Sequence, residues 1–149
     1  MTVIATDPFA DEPTVSLEEL LARSDVVSMH APVSPQTVGM IGAAEFEAMR
    51  FGAIFLNTAR APLHDTDALV AALRSGRVAA AGIDHFDGEW LAPEHPLASL
   101  DSVILTPHIG GATYDTESNH TLTIAEDLCR LIAGARPRHI VNPDVLPCR

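Results

Sequence analysis

Short apolar runs separated by helix-like segments constrain the fold of this 149-residue chain more than any other feature. Each run is continuous rather than alternating, which is the pattern of strands that are covered on both faces. The predicted strands lie at 3–5, 26–29, 53–56, 78–83 and 103–105. Strands that alternate with helices favour a parallel sheet built from right-handed βαβ units, with helices on both faces. The fold class that we predict is therefore α/β.

The segments between the runs carry the signals of helices. Ser16 and Glu19 have the spacing of a capping box, which satisfies free backbone N–H groups at the start of a helix. Gly76 stands where a striped apolar segment ends, as glycine often does after a helix. The predicted helices follow Ser16 and cover 43–49, 65–75 and 113–133. The irregular segment 84–101 is long for a compact domain, and such loops are often functional.

Composition and charge exclude several classes of protein. Hydrophobic residues make up 47% of the chain and charged residues 19%, which excludes a disordered or collagen-like chain. The net charge is −11 and all nine bases are arginine, so the chain repels phosphate and we expect no nucleic-acid or membrane partner. No apolar run approaches the roughly 20 residues that span a bilayer. The acidic N-terminal segment also lacks the basic region of a signal peptide.

Cysteine and histidine spacings point away from metal and disulfide sites. Cys129 and Cys148 have neither metal nor redox spacing, so we expect two unpaired thiols in a reducing cytoplasm. The seven histidines form no HxxxH or HExxH pair, and we therefore expect no metal. Together with the length, these observations predict one soluble cytoplasmic domain.

Polar or Gly/Pro residues follow every predicted strand. In an open α/β sheet, ligands bind outside the carboxyl ends of the strands. The residues that follow the five runs are Asp7, 30–32, 57–60, Asp84 and 106–111. Their recurrence at one edge of the sheet predicts a ligand site there.

Two charged residues at this edge have both a functional and a structural interpretation. Asp7 could accept hydrogen bonds from a ribose diol and would repel a 2′-phosphate, which favours NAD over NADP. An ordinary Asp-Pro turn with Pro8 is the alternative. Arg60 could hold a substrate carboxylate through two parallel hydrogen bonds, or it could pair on the surface with Asp65 or Asp67.

His108 is the candidate for proton transfer. A lone histidine is more often structural or exposed, but this one ends a strand and precedes the glycine pair 110–111, which lets the backbone approach a ligand closely. Imidazole also exchanges protons near neutral pH. A carboxylate partner would hold the ring, and the spacing leaves Glu89, Asp87 and Glu94 as candidates.

Three motifs at these strand ends resemble those of a known enzyme family. Asn-Thr-Ala-Arg at 57–60, Gly-Ile-Asp-His-Phe at 82–86 and Thr-Pro-His-Ile-Gly-Gly-Ala-Thr at 106–113 are similar to motifs of the D-isomer-specific 2-hydroxyacid dehydrogenases. This family includes phosphoglycerate, glycerate and D-lactate dehydrogenases. Residues 24–42 and 136–145 also resemble the family, so the resemblance covers almost the entire chain. It implies a Rossmann-like, doubly wound parallel sheet, NAD as cofactor and oxidation of a 2-hydroxy acid.

The resemblance also implies roles for individual residues. Arg60 matches the arginine that binds the substrate carboxylate and carbonyl, and Glu89 matches the carboxylate that orients the catalytic histidine. His108 matches the acid/base that takes the hydroxyl proton while hydride goes to the nicotinamide. Asp7 corresponds to the position at the adenosine ribose and Asp84 to the one near the nicotinamide amide. The implied cofactor-binding residues are Asp7, Pro32, Thr37, Thr58, Ala59, Arg60, Asp84, His108, Gly110 and Gly111.

The chain departs from the family pattern in three places. Ala61, followed by Pro62, stands where the family usually has glycine after the arginine, and Trp90 stands where it usually has proline after the glutamate. No GxGxxG motif is present, although that turn and the first strand would cradle the pyrophosphate. We therefore expect a partial NAD-binding domain over 1–149, with a tail at 136–149 that leads back toward an absent substrate domain.

The absent strand has a consequence for the sheet. In the strand order 3-2-1-4-5-6, strand 1 lies between the run at 3–5 and the run at 53–56. Without it, we expect that these two runs pair directly, that another chain donates a strand, or that the protein extends upstream of Met1.

These observations leave three hypotheses for function. The first is an NAD-dependent 2-hydroxyacid dehydrogenase that acts on a small 2-hydroxy or 2-oxo acid as a homodimer. The second is a non-catalytic, truncated remnant or interaction module, which the missing phosphate turn supports. The third is an NAD domain of the formate or adenosylhomocysteine type, and Glu89 argues against it because formate-type enzymes have glutamine at that position.

Overall fold

The computed structural model describes residues 1–11 and 14–145. The chain forms two compact units, Met1–Gly110 and Gly111–Arg149. No helix in the described part of the chain is both long enough and apolar enough to cross a membrane.

A four-stranded parallel sheet forms the centre of the first unit. Its strands are β1 (Val26–Met29), β2 (Ala53–Asn57), β3 (Val78–Ile83) and β4 (Val103–Leu105), and they are adjacent in that order. Val27 pairs with Phe55, and Ala81 pairs with both Phe55 and Val103. Because all four strands run in parallel, their carboxyl ends meet at one edge, and the α/β Rossmann-like class is confirmed.

Local sequence signals set the ends of the helices. The first unit contains α1 (Leu17–Arg23), α2 (Ala43–Ala48) and α3 (Thr66–Ser75). Ser16 Oγ accepts a hydrogen bond from Glu19 N at 3.1 Å, as the capping spacing predicts. Asp65 caps α3 by accepting from Ala68 N at 3.0 Å, and Gly76 ends it with φ of 76°.

The core lies between these helices and one face of the sheet. Phe46 of α2 and Phe55 of β2 are both fully buried, and their rings meet edge to face with centroids 5.1 Å apart. On the other face, Val26, Ile54 and Ile104 are 50%, 38% and 71% exposed. The described residues therefore cover the sheet well on one face only, whereas the continuous apolar runs had predicted burial on both.

The predicted strand at 3–5 does not form, which corrects the sequence-based assignment. Val3 is 76% exposed, and the carbonyl of Ala5 accepts a hydrogen bond from Val15 N at 2.9 Å. This run does not pair directly with β2; β1 occupies the position beside β2 instead. A strand needs a neighbour for its backbone groups, and no described strand lies beside residues 3–5.

The loop between β3 and β4 is irregular, as predicted. It contains two short 3₁₀ segments, Asp87–Glu89 and Pro96–Ser99. Gly88 has φ of 68°, so the first of them is a tight turn rather than a helical segment. This turn brings the loop to the carboxyl edge of the sheet.

The second unit consists of one long helix and the segment that follows it. Helix α4 (Tyr114–Ile132) begins after Thr113, whose hydroxyl accepts from Thr116 N at 3.1 Å, and this confirms the helix predicted over 113–133. The Asp127 carboxylate accepts from the backbone N–H of Arg138, at 2.8 Å, and of His139, at 3.0 Å. The bond from Arg138 contributes most to the low pKa of Asp127. Residues 146–149 of the predicted tail, Cys148 among them, lie outside the described residues.

Candidate active site

One buried carboxylate shapes the loop that carries His108. The backbone N–H of His108 donates to the carbonyl of Asp84 at 2.9 Å. The Asp84 carboxylate accepts from Ile109 N at 2.9 Å, from Gly110 N at 2.7 Å and from the Thr106 hydroxyl. Asp84 ends the buried strand β3 and is only 2% exposed. The end of β3 therefore determines where His108 stands.

These bonds govern the ionisation of Asp84. Burial would raise its pKa, but the hydrogen bonds from Thr106, Ile109 and Gly110 outweigh burial, and the pKa lies below its usual value. A Cβ on Gly110 would stand 2.9 Å from Asp84 Oδ2, so the close approach requires glycine at that position. The contacts of the Asp84 carboxylate are thus with protein donors that build the loop.

Glu89 is the carboxylate that reaches the His108 ring. Its Oε2 lies 3.0 Å from His108 Nδ1, and of the three carboxylates that the spacing left open, only Glu89 makes this contact in the described chain. Glu89 has φ of 59° and His108 has φ of 54°, and no other described non-glycine residue has a positive φ. Both side chains are partly exposed, at 61% for Glu89 and 44% for His108. The contact leaves His108 Nε2 as the ring nitrogen that can face a ligand.

The backbone of Arg60 is held by Asn57, a residue that the sequence analysis did not assign to the site. Asn57 Oδ1 accepts from Ala59 N at 3.0 Å and from Arg60 N at 3.2 Å, while its Nδ2 donates to the carbonyl of Arg60 at 2.9 Å. Asn57 is fully buried at the end of β2. The signal that could have identified it is a polar amide placed directly after four apolar strand residues.

The same amide fixes the protonation pattern of His64. Because Asn57 Oδ1 accepts two backbone N–H groups, its other amide atom is the NH₂ group, which donates to His64 Nδ1 at 2.9 Å. His64 therefore carries its proton on Nε2. Burial lowers the pKa of His64 to about 4, with smaller opposing effects from Asp65 and Asp87. His64 is thus neutral at physiological pH.

Arg60 points toward the histidines rather than toward the surface carboxylates considered above. Its Nη1 donates to the carbonyl of Ala59 at 2.6 Å and lies 3.2 Å from His85 Nε2. The ring centroid of His85 is 3.7 Å from that of His108. Through His85, the structure brings Arg60, Glu89 and His108 into one cluster. No separate sequence signal pointed to His85, which lies inside the motif at 82–86.

Three side chains of this cluster lie close enough together to be considered as ligands of a metal ion. One ligand atom each from His85, Glu89 and His108 lies within 4.8 Å of the others. The Arg60 guanidinium, 3.2 Å from His85 Nε2, is a fixed positive charge that opposes a cation at this position. The expectation that the site takes no metal stays a prediction.

An open groove beside this cluster suits a dinucleotide cofactor. Its volume is about 460 Å³, and it lies at the carboxyl ends of β1 and β2. The residues that line it are His30, Ala31, Pro32, Val33, Ala59 and Arg60. The hydroxyl of Thr37 donates to the carbonyl of Pro32 at 2.6 Å and closes the loop at one side of the groove. Apolar walls with one guanidinium are a suitable lining for a ring system and an anionic group.

The remaining predicted cofactor residues occupy different surroundings. Thr58 is next to Gly110, since a Cβ on that glycine would lie 3.6 Å from Thr58 Cβ. Gly111 begins the second unit, with open space beside its Cα. Asp7 is exposed, and its Oδ1 accepts from Phe9 N at 2.9 Å, which is the turn that the local sequence offered as the alternative.

A second cavity adjoins His85 and has a volume of about 310 Å³. His64 and His85 line it, together with Pro62 and Trp90, the residues at which the chain departs from the family pattern. Trp90 is 74% exposed and is the only tryptophan in the sequence. Both departures thus concern the same cavity, and neither removes a group from the cluster.

Comparison with known proteins identifies the family of this chain. Residues 1–110 match the model of the D-isomer specific 2-hydroxyacid dehydrogenase NAD-binding domain, and these residues are also the first compact unit. The chain is 38% identical to a D-3-phosphoglycerate dehydrogenase of Archaeoglobus fulgidus, over 99% of this chain and 30% of that protein. It is 42% identical to a glyoxylate reductase of Aeropyrum pernix, over 90% of this chain and 40% of that protein.

Solved structures give the same result. The NAD-complexed D-isomer specific 2-hydroxyacid dehydrogenase of Lactobacillus delbrueckii ssp. bulgaricus superimposes with a TM-score of 0.86 at 32% identity, over 93% of this chain and 48% of that chain. The chain thus spans 30% to 48% of the length of these three proteins. It belongs to the D-isomer specific 2-hydroxyacid dehydrogenase family and corresponds to the NAD-binding domain of that family.

Proposed function

We propose that this chain takes part in the NAD-dependent interconversion of a 2-hydroxy acid and a 2-oxo acid, with His108 as the acid/base. The observation that carries the proposal is the 3.0 Å contact between Glu89 Oε2 and His108 Nδ1, in a cluster that also holds Arg60. A histidine held by a carboxylate at one nitrogen and free at the other is arranged for proton transfer.

The proton steps follow from this arrangement. In oxidation of the hydroxy acid, Nε2 of neutral His108 takes the hydroxyl proton, and the Glu89 carboxylate stabilises the resulting imidazolium. In reduction of the oxo acid, the imidazolium returns that proton to the carbonyl oxygen. NAD, when bound, supplies the hydride acceptor or donor.

Arg60 is suited to hold the substrate beside His108. Its guanidinium can bind a carboxylate through parallel hydrogen bonds, and its backbone is fixed by Asn57. A fixed backbone reduces the entropy lost when the side chain engages the substrate. The groove that contains Pro32 and Ala59 would hold the cofactor on the adjoining surface.

Turnover by the purified chain tests the proposal. Glyoxylate and hydroxypyruvate are the first substrates to try, since the relatives include proteins named glyoxylate reductase and glyoxylate/hydroxypyruvate reductase. We expect NADH consumption by the wild type and a loss of about 10²- to 10⁴-fold in kcat for His108→Gln. The control is His120→Gln, at an exposed histidine of α4. Wild-type turnover by His108→Gln would refute the assignment.

A second candidate function is a cofactor-binding or interaction module without catalysis. It is favoured by the absence of a GxGxxG sequence from the 149 residues. Quenching of Trp90 fluorescence by NADH would measure cofactor binding independently of turnover. Binding without consumption of NADH for any 2-oxo acid would support the module, and turnover would exclude it.

The proposed enzyme is a cytoplasmic homodimer. The support for this part is the family membership and the reduced state expected of the cysteines, of which Cys129 is free and exposed. Light scattering on the purified chain measures the mass directly. A monomeric mass at micromolar concentration would contradict the dimer.

A further inference from the structure

His85 lies between the two groups to which the proposed function assigns chemistry. Its Nε2 is 3.2 Å from Arg60 Nη1, and its ring meets the His108 ring at 70° with centroids 3.7 Å apart. It is only 3% exposed, whereas Arg60 and His108 are both exposed. His85 is therefore the buried part of the cluster, against which two exposed side chains lie.

The contact with Arg60 determines the tautomer of His85. A guanidinium nitrogen has hydrogens to donate and no lone pair to accept with. His85 Nε2 must therefore be the acceptor, which places the proton of the neutral ring on Nδ1. That nitrogen is buried and has no hydrogen-bond partner among the described residues. A second proton could go only to Nε2, where it would point at the guanidinium.

The charges around His85 support the neutral form. Burial is the largest influence and lowers the pKa of His85, and the positive groups of His108 and Arg60 lower it further. The carboxylates of Glu89 and Asp84 act in the opposite direction with smaller effect. A neutral ring also suits the cluster, because a cationic one would stand beside the Arg60 guanidinium and would oppose the imidazolium that His108 forms in the proposed reaction.

We propose that His85 is a positioning residue that couples Arg60 to His108. Its Nε2 lone pair orients the guanidinium that receives the substrate carboxylate, and its ring supports the imidazole that exchanges the proton. This inference rests on the proposed function for its kinetic consequences. Its structural part, the neutral Nδ1–H tautomer bound to Arg60, does not depend on that function.

Two substitutions separate the two contacts. His85→Phe keeps a ring against His108 but removes the acceptor for Arg60. His85→Gln keeps an oxygen that can accept from Arg60 but removes the ring. A residue with a purely structural role would affect kcat and KM alike in both variants, whereas a positioning residue affects them differently.

Histidine NMR on the full chain tests the structural part without cofactor or substrate. Two-bond ¹⁵N–¹H spectra distinguish the two neutral tautomers and the imidazolium, with exposed His120 as an internal reference. We expect His85 to be the neutral Nδ1–H tautomer and to stay neutral to lower pH than an unperturbed histidine, because burial and the Arg60 guanidinium disfavour its charged form. Arg60→Met removes the donor that contacts His85 Nε2, and the exposed side chain can be changed without disturbing the core. His85 should then lose its preference for the Nδ1–H tautomer. An Nε2–H tautomer, or an imidazolium at neutral pH, overturns the proposal.

Steady-state kinetics on the same variants tests the coupling. We expect His85→Phe to raise KM for the 2-oxo acid about tenfold with kcat changed less than about threefold, as loss of one hydrogen bond to a charged group implies. We expect His85→Gln to lower kcat about tenfold with KM largely retained. Equal effects on both constants, or none, overturn the coupling. Absence of turnover by the wild type would instead overturn the proposed function, and the NMR result would still decide the contact with Arg60.

Discussion

Glu89 Oε2 lies 3.0 Å from His108 Nδ1, and both residues have left-handed backbone conformations, with φ of 59° and 54°. Such conformations cost a non-glycine residue about 1–3 kcal/mol and persist only where the surroundings enforce them. On one side the Asp84 carboxylate holds the loop of His108, and on the other Gly88 turns the chain before Glu89. The contact is thus made by two loops that are each fixed independently.

Glu89→Gln should reduce catalysis while leaving the fold unchanged. The amide keeps the size of the side chain but cannot stabilise an imidazolium by charge. We expect kcat to fall by about 10²- to 10⁴-fold, as for other carboxylate–histidine pairs. Asp87→Asn, an exposed carboxylate two residues away, is the matched control. Steady-state kinetics would contradict the pairing if the two variants behaved alike.

Asn57→Ala should destabilise the chain and release Arg60. The side chain of Asn57 makes four hydrogen bonds in a fully buried position, and its loss leaves Ala59 N and His64 Nδ1 without this partner. We expect a loss of about 2–4 kcal/mol in the free energy of unfolding, measured with urea. Asn119→Ala on the exposed surface of α4 should change it by less than about 0.5 kcal/mol. Equal midpoints for the two variants would count against the role of Asn57.

Stability should rise with pH between about 4 and 6.5 because of His64. Its pKa falls from 6.5 to about 4 on folding, since burial disfavours the charged ring. In this window the unfolded chain binds a proton that the folded chain does not, so acid favours unfolding. Because one pKa unit corresponds to about 1.36 kcal/mol, His64 contributes roughly 3 kcal/mol to the free energy of unfolding. This contribution is fully present above pH 6.5 and is lost as the pH falls through about 4.

Urea unfolding at several pH values measures this effect. His64→Gln should flatten the dependence within that window, because glutamine has no charged form and can still accept from Asn57. His120→Gln, at an exposed position, should leave it unchanged. A slope that persists in His64→Gln would assign the acid sensitivity to other groups.

Gly110→Ala should loosen the loop that carries His108. The new Cβ would stand 2.9 Å from Asp84 Oδ2, closer than real Cβ contacts, so the hydrogen bond from Gly110 N must lengthen or break. We expect faster amide hydrogen exchange at Ile109 and a loss of about 1–3 kcal/mol in the free energy of unfolding. Gly111→Ala is the matched control, since nothing lies within 4 Å of its Cβ position. Similar losses in both variants would argue against the contact with Asp84.

Asp7 tests the preference for NAD over NADP. If its carboxylate lies at the adenosine ribose, Asp7→Ser should raise the affinity for NADPH relative to NADH, because the repulsion of a 2′-phosphate is removed. Fluorescence titration of Trp90 with each nucleotide measures both affinities. Asp11→Ser is a nearby exposed control. If the ratio of the two affinities did not change, the role of Asp7 would be limited to the turn in which it accepts from Phe9 N.

The fold could be predicted from the sequence wherever local signals decide it. Helix α1 begins after Ser16 and α3 ends at Gly76, as the capping and glycine signals indicate, because these depend on residues within one or two turns. The run at 3–5 has the composition of a strand, but a strand also requires a neighbour. No sequence pattern within the run carries that information, and the prediction failed there.

The site was predicted in part. The positions at the strand ends supplied Arg60 and His108, the resemblance added Glu89, and the geometry places Glu89 rather than Asp87 or Glu94 against the His108 ring. Asn57 and His85 were not assigned, because their importance arises from contacts that exist only after folding. His85 is 25 residues from Arg60 along the chain, and the 3.2 Å contact between them follows from the pairing of β2 with β3.

The left-handed backbone at Glu89 and His108 implies a trade-off between stability and activity at these two positions. Glycine adopts such φ values without steric cost, so Glu89→Gly or His108→Gly would relax the backbone where alanine would not. The inactive glycine variants are then expected to be the more stable proteins, by about 1 kcal/mol at each position. Selection for stability alone would favour glycine at both positions. Keeping Glu89 and His108 lowers stability but preserves the two side chains that the proposed reaction requires.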